Sequence, residues 1–317
     1  MVNKSQTMDK DFLVQEIIRL KQEKNAVILA HYYQDEDIQE IADFIGDSLE
    51  LSKKAQATDA SIIVFAGVHF MAETAKILNP NKKVLLPDWE AGCSLADGCN
   101  PTDFKAFKNQ YPDHIVITYI NCSAEIKAMS DLVCTSANAK KIIDSIPLEQ
   151  KIIFAPDQNL GNYLQKETKR ELVLWKGSCV VHEAFSLDKL IEIYTKNPTA
   201  KIAAHPESES HILKVAHYIG STSGIINFIK TDPTNVFIVA TEAGILHELS
   251  KAVPDKMLIP APSTEDNTCA CSECAFMKMN TLQKLYLCLK NESPEMIVSE
   301  KLRVEALKPI ERMLELS

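Results

Sequence analysis

The stretch NTCACSECAF puts Cys269, Cys271 and Cys274 within six residues, in a chain that spreads its other six cysteines thinly. Thiols packed this closely serve metal binding or redox chemistry more readily than core packing. Two further thiols stand in loops: Cys93 in DWEAGCSLADGC and Cys179 in WKGSCVVHE. Cys122, Cys134 and Cys288 fall inside strand or helix patterns and read as core thiols. A second group of residues offers polar chemistry at the ends of apolar runs. These are His31 and Tyr33 after VILA, Tyr119 and Asn121 after IVIT, and His205 and Glu207 after KIAA. A hydroxyl follows each opening position by 17 residues: Ser48 after His31, Ser136 after Tyr119, Thr222 after His205.

That spacing calls for elements able to bring the three sets together. AVILA, SIIVF, KVLL, IVITYI, KIIFA, ELVLW, KIAA, VFIVA and MLIP are near-continuous apolar runs, as parallel strands covered on both faces require. Between them DEDIQEIADF, FMAETAKIL, SAEIKAMSD, NLGNYLQKE, ESHILKVAHY and GILHELSKA carry apolar residues at helical spacing. One helix opens the chain, in DKDFLVQEIIRLKQEK, and two close it. Strand and helix alternate, so right-handed parallel βαβ units are expected. The opening positions His31, Tyr119 and His205 are 88 and 86 residues apart. In each copy an opening strand, a helix, a short apolar piece, a hydroxyl and a second strand follow in the same order.

The expected fold is therefore α/β: three homologous three-layer αβα domains with short parallel sheets, in pseudo-threefold symmetry around a central cluster. The repeats are assigned to 1–92, 93–178 and 179–274, with helices in 275–317 completing the first. Cys93, Cys179 and the 269–274 group each follow the last strand of a copy, so three equivalent loops would bring three thiolates to the axis. Structural zinc takes four N/S ligands, usually as two close pairs, and the chain has no second CxxC. Three thiols suit a 4Fe-4S cluster whose open iron acts as a Lewis acid, a site fit for dehydration. The polar strand ends face one pocket beyond the carboxyl edge of the sheets, and hydroxyls at helix starts offer anion sites. A zinc-bearing α/β binding protein could use the same strand ends without chemistry. A Schiff-base aldolase is disfavoured, because no lysine stands at a repeat strand end.

Composition narrows the partners. The 317 residues are 46% hydrophobic, enough for large cores. The net charge of −9 argues against a nucleic-acid groove. The opening residues lack the apolar core of a signal peptide and no run is long enough to span a bilayer, so a cytoplasmic protein acting on small molecules is expected.

Several segments carry a resemblance. AHYYQDEDIQEIADFIGDSLELSKKA, VFAGVHFMAETAKILNP, YINCSAEIKAMSDLVCTSANA, GSCVVHEAF, HPES, GSTSGII and CAFMKMNTL resemble the quinolinate synthases, iron–sulfur enzymes of NAD biosynthesis. The resemblance runs collinearly from Ala26 to Leu282. It implies condensation of iminoaspartate with dihydroxyacetone phosphate, giving quinolinate, phosphate and two waters. It further implies one 4Fe-4S cluster held by Cys93, Cys179 and Cys274. Substrate binding would fall to His31, Ser48, Tyr119, Asn121, Ser136, His182, His205, Glu207 and Thr222. Tyr33 and Glu207, with His205, take the catalytic roles, and His182 lies beside the cluster. An aspartate oxidase or aspartate dehydrogenase is the implied transient supplier of iminoaspartate. Some relatives carry CxxCxxC where this chain has CACSEC, which leaves Cys269 and Cys271 without an assigned role.

Overall fold

The computed structural model describes residues 9–264 and 272–317. Cys269 and Cys271 lie outside the described residues. Among the described residues the strands form three four-stranded parallel sheets, with strand orders β2-β1-β3-β4, β6-β5-β7-β8 and β10-β9-β11-β12. Their central strands are β1 (Ala26–His31) with β3 (Ile62–Ala66), β5 (His114–Tyr119) with β7 (Lys151–Ala155), and β9 (Lys201–Ala204) with β11 (Val236–Ala240). The outer strands are β4 (Lys83–Leu85), β8 (Leu172–Leu174) and β12 (Met257–Pro260) on one side, and β2 (Phe44–Gly46), β6 (Leu132–Cys134) and β10 (Tyr218–Ile219) on the other. The last three are the short apolar pieces of the repeat. They are too short to show a strand period, yet each pairs in parallel with the central strand beside it.

The register is the same three times. Leu29 pairs with Phe65, Ile117 with Phe154 and Ala203 with Val239, each two residues before an opening position. The entry to each outer strand repeats as well. Asp43, Asp131 and His217 accept the backbone N–H of Ile28, Val116 and Ile202 at 2.7, 2.8 and 3.1 Å. These contacts saturate strand donors that would otherwise be unpaired.

Alternation along the strands explains the two covered faces. Val27, Leu29, Ile63 and Phe65 pack inward with α3 (Ser48–Ala57) and α4 (His69–Leu78), in a core shared with Ile117 and Phe154 of the second sheet. Ile28, Ala30, Val64 and Ala66 pack outward against α1 (Lys10–Glu23) and α15 (Leu282–Asn291). In the third sheet Ala203, Phe237 and Val239 meet α13 (Thr222–Thr231) and α14 (Ile245–Ala252), while Ile202, Ala204, Ile238 and Ala240 face the opposite layer. The closing helices part company: α15 lies on α1, whereas α16 (Glu300–Glu315) packs on α7 (Ala124–Ala128) and β6 of the second unit and on α4 of the first. Among the described residues no helix is long and apolar enough to cross a membrane.

Candidate functional site

The carboxyl ends of the three sheets meet at one cavity. His31, Tyr33, Ser48, Tyr119, Asn121, Ser136, His182, His205, Glu207 and Thr222 all line it, together with Cys93, Cys179 and Cys274. Every site residue named from the sequence thus reaches the same space, although together they span more than 200 residues of the chain.

The three thiols are built alike. Cys93 and Cys179 occupy the cap positions of the short helices α5 (Ser94–Asp97) and α10 (Val180–Glu183), and Cys274 precedes a single 3-10 turn at Met277–Met279. Backbone N–H groups of the turn that follows favour each thiolate: those of Leu95 and Ala96 at Cys93, His182 at Cys179, and Phe276 and Met277 at Cys274. Burial pushes the Cys93 thiol up to about 12 and raises those of Cys179 and Cys274. A bound cation reverses that preference and draws out the thiolates. Three soft donors whose thiolates neighbouring backbone N–H groups favour fit an iron–sulfur centre. A second donor set overlaps this one at Cys179, whose sulfur lies within 4.8 Å of ligand atoms of His182 and Glu207.

On the opening positions, the sequence pair His31–Tyr33 and its counterpart His205–Glu207 fold identically. Nδ1 of His31 accepts the N–H of Tyr33 at 3.2 Å, and Nδ1 of His205 that of Glu207 at 3.4 Å. Burial lowers both imidazoles to about 3, so both rings are neutral and carry their proton on Nε2. That of His205 meets the Ser136 hydroxyl at 3.1 Å. Burial opposes ionisation of Glu207, but the His205 and His182 rings and the hydrogen bonds from His182 and Tyr119 outweigh it and hold the carboxyl below its usual range. Burial raises the Tyr33 and Tyr119 hydroxyls well above the ordinary phenol value.

The three hydroxyls stand at helix starts without capping them. Asp47 and Ser221 are the caps of α3 and α13, accepting from Leu49 and Glu50 at 3.0 Å and from Gly224 at 3.2 Å. Ser48 and Thr222 are the first helical residues, one step inside. Ser136 lies in a turn before α8 (Ala139–Asp144). The starts of α3 and α13 touch, since the Ser223 hydroxyl donates to Asp47 at 2.6 Å.

Two participants escaped the sequence reading. Glu242, 1% exposed, lines the cavity and accepts the N–H of Cys274 at 3.0 Å and of Gly244 at 2.7 Å. Burial raises its carboxyl to about 7, and Lys278 stands 3.6 Å away. Thr241 bonds Tyr33 and His182. Both sit just beyond β11, and the acidic Asp157 at the matching place beyond β7 was the available signal.

Comparison with known proteins follows this geometry. The family model described as quinolinate synthetase A protein matches residues 15–315. A quinolinate synthase of Microcystis aeruginosa is 62% identical over 307 residues, 97% of this chain and 96% of that protein. One of Chloroherpeton thalassium is 62% identical over 305 residues, covering 96% and 94%. One of Trichodesmium erythraeum is 57% identical over 316 residues, covering 100% and 97%.

Proposed function

The chain belongs to the quinolinate synthase family, and from that membership we propose that its cavity condenses iminoaspartate with dihydroxyacetone phosphate to give quinolinate, phosphate and two waters. The observation that carries the reading is the meeting of three loop thiols with the polar ends of all three sheets in one cavity. Members of this family are iron–sulfur enzymes. Cys93, Cys179 and Cys274 would hold one 4Fe-4S cluster, whose chemistry when bound is Lewis acidity toward a departing hydroxyl.

The chain's own residues do the rest. Ser48 and Thr222, in the first turns of ten-residue helices, present hydroxyls and free backbone N–H groups to the dicarboxylate. The neutral rings of His31 and His205, with Asn121 and Ser136, add hydrogen-bond donors that cost no charge burial. Glu207, held ionised, accepts a proton from the substrate carbon or nitrogen, and Tyr33 returns one to a leaving oxygen. Burial of the strand-end residues excludes water from the unstable imine. An aspartate oxidase or aspartate dehydrogenase would supply that imine.

A second reading rests on the mixed Cys179, His182 and Glu207 donor set, which would suit a single zinc or ferrous ion. Metal analysis separates the two. Protein purified without oxygen is expected to be brown, with about four irons and four sulfides per chain, and to form quinolinate in a coupled anaerobic assay. Cys93→Ala, Cys179→Ala and Cys274→Ala should each lose the iron, whereas Ser in place of the buried Cys122 or Cys134 should keep it. A colourless protein with one zinc, or full iron in Cys274→Ala, would overturn the assignment.

A further inference from the structure

The three thiol loops are alike except at one position. In each, the N–H four residues after the cysteine closes a turn on the cysteine's own carbonyl: Asp97 on Cys93 and Glu183 on Cys179 at 2.9 Å, Lys278 on Cys274 at 3.1 Å. The first two loops thus carry an acid at that place and the third a lysine. The shared turn does not ask for a cation, so the lysine answers to something that only the third loop meets.

What it meets is the turn after β1. Nζ of Lys278 donates to the Tyr33 carbonyl at 3.1 Å, pairs with Asp35 at 3.2 Å and stands 3.6 Å from Oε1 of Glu242, the oxygen that accepts the Cys274 N–H. The neighbouring carbonyls are taken as well. Nε2 of Gln39 donates to those of Tyr32, Gln34 and Gly244 at 3.1, 2.8 and 3.0 Å. Gly244, whose N–H goes to the other oxygen of Glu242, lies so close to this turn that a Cβ there would stand 2.9 Å from Cα and from the carbonyl carbon of Tyr33.

The Lys278 side chain is 18% exposed and does not line the cavity, so it does not touch substrate. Its ammonium, a donor only, is held between the backbone that carries Tyr33 and the carboxylate that holds the Cys274 loop. We propose that Lys278 is a positioning residue for quinolinate formation, tying the third cysteine loop to the Tyr33 turn so that thiol and phenol keep a fixed separation. Glu242 relays the tie to Cys274, and Gln39 with Gly244 backs the turn so that it does not slide. The assignment rests on the function proposed above.

Two readouts on anaerobically prepared holoenzyme test the tie. Lys278→Met keeps the stem and removes the ammonium. It should lower kcat by on the order of 10–100-fold, the usual cost of a small misplacement of reacting groups, with KM for both substrates within about twofold. Hydrogen exchange followed by mass spectrometry should speed up at residues 32–36 and 273–279 together, because one tie serves both segments. Lys278→Arg, which keeps the charge in a different donor geometry, should fall between the methionine variant and wild type in both readouts. Wild-type kcat in Lys278→Met would overturn the proposal. So would acceleration of only one segment, an arginine variant slower than the methionine one, a rise in KM with kcat kept, or failure of both variants to fold. If Lys278→Met is purified without iron, its exchange is compared with that of iron-free wild-type protein: joint acceleration sustains the tie, and unchanged exchange in either segment overturns it. Wild-type protein that forms no quinolinate would instead remove the functional reading itself, while the exchange result would still judge the tie.

Discussion

His31 and His205 occupy equivalent strand ends and are held in the same tautomer by the N–H two residues on. Their burial has a measurable consequence. Folded, both rings protonate only near 3, against 6.5 for the ordinary side chain. Between those values the unfolded chain binds protons that the folded chain does not, so stability falls as pH drops through the window and is unaffected above about pH 7. The slope approaches about 1.4 kcal/mol per pH unit for each ring in the acid part of the window. Urea titrations of the holoenzyme between pH 7.5 and 5 should show it, and His31→Gln should remove one ring's share. Coincident slopes for the two proteins would mean that the imidazole is not buried neutral. These residues were legible in the sequence because a polar side chain at the end of an apolar strand has few roles. Thr241 and Glu242 were not, since a threonine and a glutamate after a strand also look like ordinary loop polarity; only the fold shows that both are buried and bonded to Tyr33, His182 and Cys274.

Among the elements, the helix starts separate stability from binding. Asp47 caps α3 in a reciprocal box with Glu50, while Ser48 beside it is not a cap. Asp47→Ala should therefore cost about 0.5–2 kcal/mol of stability. Ser48→Ala should leave the urea midpoint nearly unchanged and weaken substrate binding by roughly 1.5–3 kcal/mol, on the order of 10–150-fold. Both can be read from the midpoint and KM of the two variants. An early-melting Ser48→Ala with normal KM would make the serine architectural. From sequence alone the hydroxyl and the cap could not be told apart, because one position of helix phase decides which residue closes the turn. The same limit hid β2, β6 and β10. Two or three residues cannot show alternation, and what fixes them as strands is the acceptor at Asp43, Asp131 or His217, a tertiary contact.

At the scale of the molecule, the three units are not joined evenly. One apolar core spans the inner faces of the first and second sheets, and Ala306, Ile310 and Met313 of α16 close it. The third sheet keeps its own inner core, with Tyr33 packing against both. Cys93, Cys179 and Cys274 border the shared core, so the loops expected to hold iron depend on it. Our proposed division at 92, 178 and 274 follows the repeat, but it is α16, beyond the last repeat, that binds two units into one. Ile310 is fully buried, and Ile310→Ala should cost about 2–5 kcal/mol. Hydrogen exchange followed by mass spectrometry gives the sharper result. If the shared core unfolds as one unit, amides of β1 and β5 should speed up together in this variant while those of β9 and β11 change less. Leu249→Ala, in the core of the third sheet, should show the reverse order. Acceleration of β5 alone in Ile310→Ala would mean that the second sheet opens independently and that α16 does not tie it to the first. The iron would then be released with the Cys179 loop first, a difference that iron content during slow warming would reveal.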